Sequence, residues 1–310
     1  MSESLAFVFP GQGSQAVGML ADVAEKFPQV KATFDEASAV LGTDLWQLTQ
    51  EGPAEELNRT DMTQPALLTA SVALWRVWNE QGGAKPAYMS GHSLGEYSAL
   101  VCAGAIAFED AVKLVNKRGL FMQSAVPAGE GAMAAIIGLD DAAIESACEQ
   151  AAQGEVVSAV NYNSPGQVVI AGQTDAVNRA IELCKEAGAK RVVPLPVSVP
   201  SHCALMKPAA EKLAAALANV PVIMPEIPVI QNVSAGVASD VDQLKTNLVE
   251  QLFSPVLWTN SVQTMVEQGI ERTVECGPGK VLSGLNKKIH KPLTLAAIND
   301  IAGMEGALAQ

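Results

Sequence analysis

Apolar residues fill positions 5–9 without a break and stop at Pro10-Gly11, the pattern of a buried strand running into a loop. From 63 to 82, Leu67, Leu68, Val72, Leu74, Trp75 and Trp78 recur at helical spacing, with Pro65 near the start and Gly82-Gly83 at the end. This predicts a long, largely buried helix with a glycine stop. Two more helices are predicted over 94–102 and 109–121, separated by Gly104. The second carries Glu109 and Asp110 in its first turn and Lys117-Arg118 late, as the helix dipole favours.

The pattern changes between 131 and 195. Small and β-branched residues over 132–138 read as a strand, 140–152 as a helix and 156–162 as a second strand. Asn163-Ser164-Pro165-Gly166 is a turn leading to a strand over 167–171, then a helix over 174–187 ended by Gly188, then a strand over 191–195. The order βαββαβ is that of a ferredoxin-like module, and it delimits a small subdomain over 128–197. Beyond the proline-rich stretch 194–200, helices are predicted over 204–218, 240–252, 259–268 and 279–287. Strands are predicted over 228–232, 272–276 and 293–298. Residues 1–127 and 198–310 therefore read as one α/β core whose parallel sheet is assembled from both sides of the insert.

A length of 310 residues fits about two such units, and 49% apolar against 17% charged residues supplies ample core, excluding a disordered chain. The 20 basic and 33 acidic residues give a net charge of −13, which repels phosphate backbones and argues against a nucleic-acid partner. An acidic partner would require the field to be reversed locally. Five cysteines lie scattered with no CxxC spacing, so neither a disulfide framework nor a metal site is expected, and a reducing compartment is. No basic segment precedes the short apolar run at the start, and no run approaches 18 apolar residues, so neither a signal peptide nor a membrane span is expected.

Gly91-His92-Ser93-Leu94-Gly95 matches G-x-S-x-G, with an apolar run before it and a helix after it. Such glycines permit a tight strand-to-helix turn that raises the serine hydroxyl over a helix N-terminus, where the following amide can hold an oxyanion. The same letters also describe an ordinary serine-capped turn. A nucleophilic serine needs a base, and the chain offers His92, His202 and His290. His92 adjoins the serine, where a tight turn would aim it away, and His290 sits among Lys287, Lys288 and Lys291. His202 follows a stiff Val199-Pro200-Ser201 loop and is the best base by elimination. Gly11, Gly13 and Ala16 fit G-x-G-x-x-A, but no acidic residue follows at the end of a second strand, since Asp35 and Glu36 lie in a helical stretch. A tight turn presenting Gln12 toward the sheet's end is the alternative to a dinucleotide site. Arg118 alone reads as a surface cation at a helix C-terminus.

Taken together, Phe9 to Gln15, Thr63-Gln64-Pro65-Ala66, Gly91 to Tyr97, Arg118-Gly119, Gly131 to Ala134, Asn163 to Gln167, Ser201-His202 and Glu275 to Gly279 resemble, in order, the malonyl-CoA:acyl carrier protein transacylase family. The chain looks like the stand-alone bacterial type, and the segment 234–246 matches no family motif. The resemblance implies an α/β-hydrolase-like core with a ferredoxin-like subdomain. It implies a cytoplasmic, monomeric acyltransferase of fatty-acid synthesis without a resident cofactor or metal. Its substrates would be malonyl-CoA and phosphopantetheinylated acyl carrier protein. By the same resemblance Ser93 is the nucleophile and His202 its base in a Ser-His dyad. The amides of Gln12 and Leu94 form the oxyanion hole, Arg118 pairs with the malonyl carboxylate, and the Gln251 carbonyl orients the histidine. Asn163 and Asn232 would lie along the acyl or pantetheine path. Lys190 and Arg191 in the insert and Lys287 and Lys288 near the C-terminus are expected to flank the site mouth and reverse the field for CoA or carrier protein. A serine hydrolase or thioesterase sharing the elbow is the rival enzyme, and a nucleotide-binding or interaction protein using the 11–13 loop the rival of another class.

Overall fold

The computed structural model describes residues 2–197 and 199–310, so Ser198, where the core is expected to resume, lies outside the described residues. The described residues form ten strands: β1 (Ser2–Phe9), β2 (Pro86–Gly91), β3 (Gly131–Ile137), β4 (Val157–Ser164), β5 (Gln167–Gln173), β6 (Arg191–Pro194), β7 (Val229–Gln231), β8 (Gly236–Val237), β9 (Arg272–Glu275) and β10 (Thr294–Ala297). Six of them make one sheet in the order β10-β9-β1-β2-β7-β8, parallel throughout except for the antiparallel edge strand β8. In β1, Leu5, Phe7 and Phe9 enter one hydrophobic core while Ala6 and Val8 enter another, on the opposite face. A strand covered on both faces has no polar side, which is why 5–9 reads as an uninterrupted apolar run.

The remaining four strands form an antiparallel sheet in the order β4-β5-β3-β6, with helices Asp141–Ala152 and Thr174–Glu186 completing the βαββαβ order. Ala134 and Ile136 of β3 pack into a core beneath those helices, whereas Met133 faces a separate small cluster with Val160, Val169 and Cys203. This second face of the sheet is turned to the α/β core. Tyr162 N–H donates to the Val256 carbonyl at 3.0 Å, and Val256 N–H to that of Val160 at 2.8 Å, so the edge of β4 is stitched to the larger unit.

The long buried helix spans Thr60–Glu80, beginning before its expected start and continuing through Pro65. Proline cannot bond the carbonyl four residues back, but Asp61 O accepts from Asn116 Nδ2 at 2.9 Å, so the break in the ladder is filled from outside the helix. Residues 204–218 are a 3-10 turn, Ala204–Met206, followed by helix Lys207–Leu217 rather than one helix. Helices Ala21–Lys26, Leu45–Glu51, Ala54–Leu57 and Ile301–Leu308 were not among the expected elements, whereas Gln29–Leu41 covers the helical stretch expected around Asp35 and Glu36. Gln29–Leu41 buries Val30, Thr33, Phe34 and Ala37 along one face. All five cysteines are free, and no helix is long and apolar enough to cross a membrane among the described residues.

Candidate active site

The carboxyl ends of the adjacent parallel strands β1 and β2 carry the two glycine motifs, and their loops pack backbone to backbone. A Cβ at Gly91 would lie 1.9 Å from the Gly95 carbonyl, one at Gly95 2.1 Å from Phe9 O, and one at Gly11 2.5 Å from His92 O. Glycine at these positions brings strand, elbow and helix Gly95–Cys102 into direct contact. Ser93, between them, has φ of 52°, a left-handed conformation that costs a non-glycine residue about 1–3 kcal/mol and must be imposed by its surroundings.

Those surroundings are a buried web of amides. Ser93 N–H donates to Asn232 Oδ1 at 2.8 Å, Asn232 Nδ2 to Gly91 O at 2.6 Å, and Gln251 Nε2 to Ser93 O at 3.0 Å. Asn232 is fixed in turn by Glu96, whose carboxylate accepts from Asn232 N–H at 2.6 Å and from Gln231 Nε2 at 3.0 Å. Asn247 Nδ2 donates to Gln231 Oε1 at 2.7 Å, closing the chain. Burial pushes the Glu96 carboxyl up to about 7, against the hydrogen bonds and the Arg118 charge that favour its ionised form.

Ser93 Oγ lies 2.9 Å from His202 Nε2, and His202 Nδ1 lies 2.6 Å from the backbone carbonyl of Gln251. A carbonyl only accepts, so Nδ1 holds the ring's proton and Nε2 presents a lone pair to the serine hydroxyl. Burial, and then the Arg118 charge, pull the imidazole down to about 3, so the ring is neutral at physiological pH and available as a proton acceptor. The arrangement can transfer the Ser93 proton to His202 without a carboxylate on the imidazole.

Arg118 is 1% exposed, contrary to the reading of a surface cation, and sits in mid-helix within Phe108–Ala125. Its guanidinium donates to Gln64 Oε1 at 2.8 Å, Gln251 Oε1 at 2.9 Å and Ser93 Oγ at 3.3 Å, while Nε has no partner among the described residues. No carboxylate lies within ion-pair distance of it among the described residues. Gln64 received no role from the sequence although it belongs to a quoted motif. Its position on the buried face of the long helix is the signal that could have found it.

Ser93, His202, Arg118, Gln12, Leu94 and His92 share a cavity of about 120 Å3 with Met122, Val199 and Ser201 on the core side and Met133, Asn161, Val169, Leu195 and Val197 on the side of the small sheet. The backbone N–H groups of Gln12 and Leu94 find no acceptor among the described residues, as an oxyanion hole requires, whereas that of Ser93 is taken by Asn232. An open groove of about 680 Å3 beside Trp75, Arg76 and Cys102 is larger but shares no residue with this cavity. Among the described residues no cluster of His, Cys, Asp and Glu is placed to hold a metal ion.

Three expectations need correction. His92 is not aimed away: it lines the cavity, with Nε2 2.8 Å from Asn163 Oδ1 and its ring tilted on Trp258. Asn163 is not among the residues lining the cavity; its Oδ1 meets His92, which is. Asn232 lies behind the elbow, fully buried as a brace, and not along an acyl path. The basic residues divide. Lys190 and Lys288 share a surface depression of about 590 Å3 near Gln167, to which Lys288 Nζ donates at 3.1 Å, while Arg191 is exposed at its edge strand. Lys287 Nζ donates to Lys291 O at 2.8 Å. The depression shares no lining residue with the cavity.

The acyl transferase domain family matches residues 6–299, nearly the whole chain. The chain belongs to the acyl transferase family. Within it, the malonyl CoA-acyl carrier protein transacylase of Escherichia coli K12 is 65% identical over 303 residues, covering 98% of each chain. That of Bacillus subtilis is 49% identical, covering 98% of this chain and 96% of the relative. A crystal structure of an acyl carrier protein S-malonyltransferase from Vibrio cholerae superposes with a TM-score of 0.96 at 64% identity, covering 98% of this chain and 99% of that one. A malonyl-transacylase solved in complex with its type II PKS acyl-carrier protein superposes with a TM-score of 0.98 at 58% identity, covering 99% of both chains. These full-length matches carry the same combination of a parallel-containing sheet and a second antiparallel sheet.

Proposed function

We propose that this chain transfers the malonyl group of malonyl-CoA to the phosphopantetheine thiol of acyl carrier protein through a malonyl ester of Ser93. The observation that carries the choice of acyl group is Arg118: a buried guanidinium held by two neutral amides, with no carboxylate in contact, beside the reactive hydroxyl. A buried charge with no carboxylate in contact among the described residues is costly, and a substrate that brings a carboxylate supplies that partner in bidentate geometry. The names of the full-length relatives, and the carrier protein in one solved complex, support the same donor and acceptor.

In the first half-reaction His202 Nε2 takes the Ser93 proton as Oγ attacks the thioester carbonyl. The Gln12 and Leu94 amides receive the developing oxyanion, and the tetrahedral intermediate expels the CoA thiolate, which takes the proton from His202. In the second, the carrier thiol gives its proton to His202 and attacks the ester, and Ser93 leaves with that proton. The Gln251 carbonyl keeps the proton on Nδ1 throughout, the role a carboxylate fills in full triads. The scheme uses no resident cofactor or metal and suits a cytoplasmic setting, where five free cysteines persist. The exposed cations around the Lys190–Lys288 depression, with Arg191 and Lys287, form the docking face for the acidic carrier or CoA phosphates.

Intact mass after mixing with malonyl-CoA tests the reading. A malonyl adduct is expected on the wild type, absent from Ser93→Ala, stable in buffer and discharged by holo carrier protein. Absence of the adduct, or rapid loss to water without an acceptor, would overturn it in favour of another reaction or a thioesterase.

A further inference from the structure

The small sheet and the segment that follows it contribute Met133, Asn161, Val169, Leu195 and Val197 to the cavity, and Asn161 is the single polar side chain among them. Its presence there results from a fault in the sheet. Between Ala159 and Asn161 the β4–β5 register slips by one residue, so Ala159 packs beneath the subdomain helices, while Val160 and Asn161 both face the core. A bulge of this kind re-aims a side chain without displacing the strand. Asn161 thereby shares a face with its cross-strand partner Val169.

The residue is 9% exposed, and its Oδ1 is buried with no hydrogen-bond partner among the described residues. Its neighbour Asn163 differs in this respect, since His92 satisfies it. An amide oxygen buried without a partner loses its water and gains nothing, so its placement on a cavity wall points to a ligand that donates to it. The opposite wall already provides for the acyl group: Arg118 is 3.3 Å from Ser93 Oγ, and the oxyanion donors flank the same hydroxyl. What remains for the apolar wall is the thiol side of the thioester. The pantetheine arm continues from sulfur as S–CH2–CH2–NH–CO, two methylenes and then an amide. An apolar strip interrupted by one carboxamide matches that sequence of groups.

We propose that Asn161 binds the amide of the pantetheine arm nearest the sulfur, and so selects pantetheine thioesters over other thioesters. The inference rests on the acyl-transfer reading above. A carboxamide has both a donor and an acceptor, so it can pair with that amide in either of its two orientations. CoA and carrier protein bear the same arm, and Asn161 then serves both half-reactions.

The test crosses protein truncation with substrate truncation. Malonylation of Ser93 is timed for the wild type, Asn161→Ala and the near-isosteric Asn161→Leu, with malonyl-CoA, malonyl-N-acetylcysteamine, which keeps the amide, and malonyl ethyl thioester, which lacks it. Both variants should lose about tenfold to a hundredfold in kcat/KM with the two amide-bearing donors and less than about twofold with the ethyl thioester. Discharge of the malonyl-enzyme by holo carrier protein, run in parallel, should slow by the same factor, against discharge by ethanethiol as the amide-free control. Equal losses with all three donors would make Asn161 a packing residue and overturn the inference while leaving acyl transfer intact. So would an unchanged preference for the amide-bearing donors. Failure of the wild type to form a malonyl adduct from any donor would overturn both.

Discussion

The elbow around Ser93 and the depression shared by Lys190 and Lys288, the first proposed to hold the acyl group and the second to dock the carrier, are built in opposite ways. At the elbow the polar web is buried and almost every member has a named partner: Ser93, Asn232, Gln251, Glu96, Gln231 and Asn247 form one connected set. At the depression the Lys288 ammonium reaches one partly exposed glutamine amide, and Lys190 beside it is exposed. A left-handed serine cannot persist unless several bonds impose it, whereas a docking face needs charge of one sign and little geometry. Single substitutions should therefore act steeply and specifically at the first region, and gradually and with salt dependence at the second.

The sharpest test of the contrast is Arg118→Ala. Loss of one partner from a desolvated ion pair costs about 3–5 kcal/mol, or roughly 10²–10⁴-fold. Steady-state transfer should fall by that factor for malonyl and much less for acetyl, and equal losses would remove Arg118 from carboxylate recognition. Next comes Glu96→Ala, which leaves the Asn232 N–H and the Gln231 amide unpaired in the interior at about 1–3 kcal/mol each. Chemical denaturation should show the lost stability, and Ser93 malonylation should slow although Glu96 touches no substrate. An unchanged acylation rate would confine Glu96 to stability.

A smaller effect concerns pH. His202 is pulled from 6.5 to about 3 in the folded protein, so its contribution to stability is present above 6.5 and is lost as pH falls toward 3. Glu96 is raised from 4.5 to about 7, so its contribution is present below 4.5 and is lost as pH rises toward 7. The two oppose each other over the shared window. Thermal unfolding of Glu96→Gln should therefore shift in the variant's favour, relative to wild type, as pH rises from 4.5 to about 7. A constant difference in Tm across that range would mean that Glu96 does not titrate there.

The mildest effect belongs to the depression. Lys190→Glu with Lys288→Glu should slow capture of holo carrier protein by about tenfold at low salt and scarcely at high salt. Identical kinetics at both salt concentrations would show that the carrier docks elsewhere.

Much was legible without coordinates, for reasons that are local. A strand covered on both faces must be apolar throughout, as at 5–9, and a change of period from helix to short strands marks the insert around 131–195. The glycines at 11, 91 and 95 announce a tight approach because no other residue fits there. What the sequence leaves open depends on what comes into contact across the chain. Arg118 has the pattern of a surface cation, and only the packing of its helix against Gln64 and Gln251 buries it beside Ser93. Asn232 and Asn163 look alike as loop-end amides, yet one braces the elbow and the other engages His92. Asn161 carries no motif. A one-residue slip in β4 turns it toward the cavity, and such a slip depends on the pairing of β4 with β5 and on its contact with Val256, which no local pattern records.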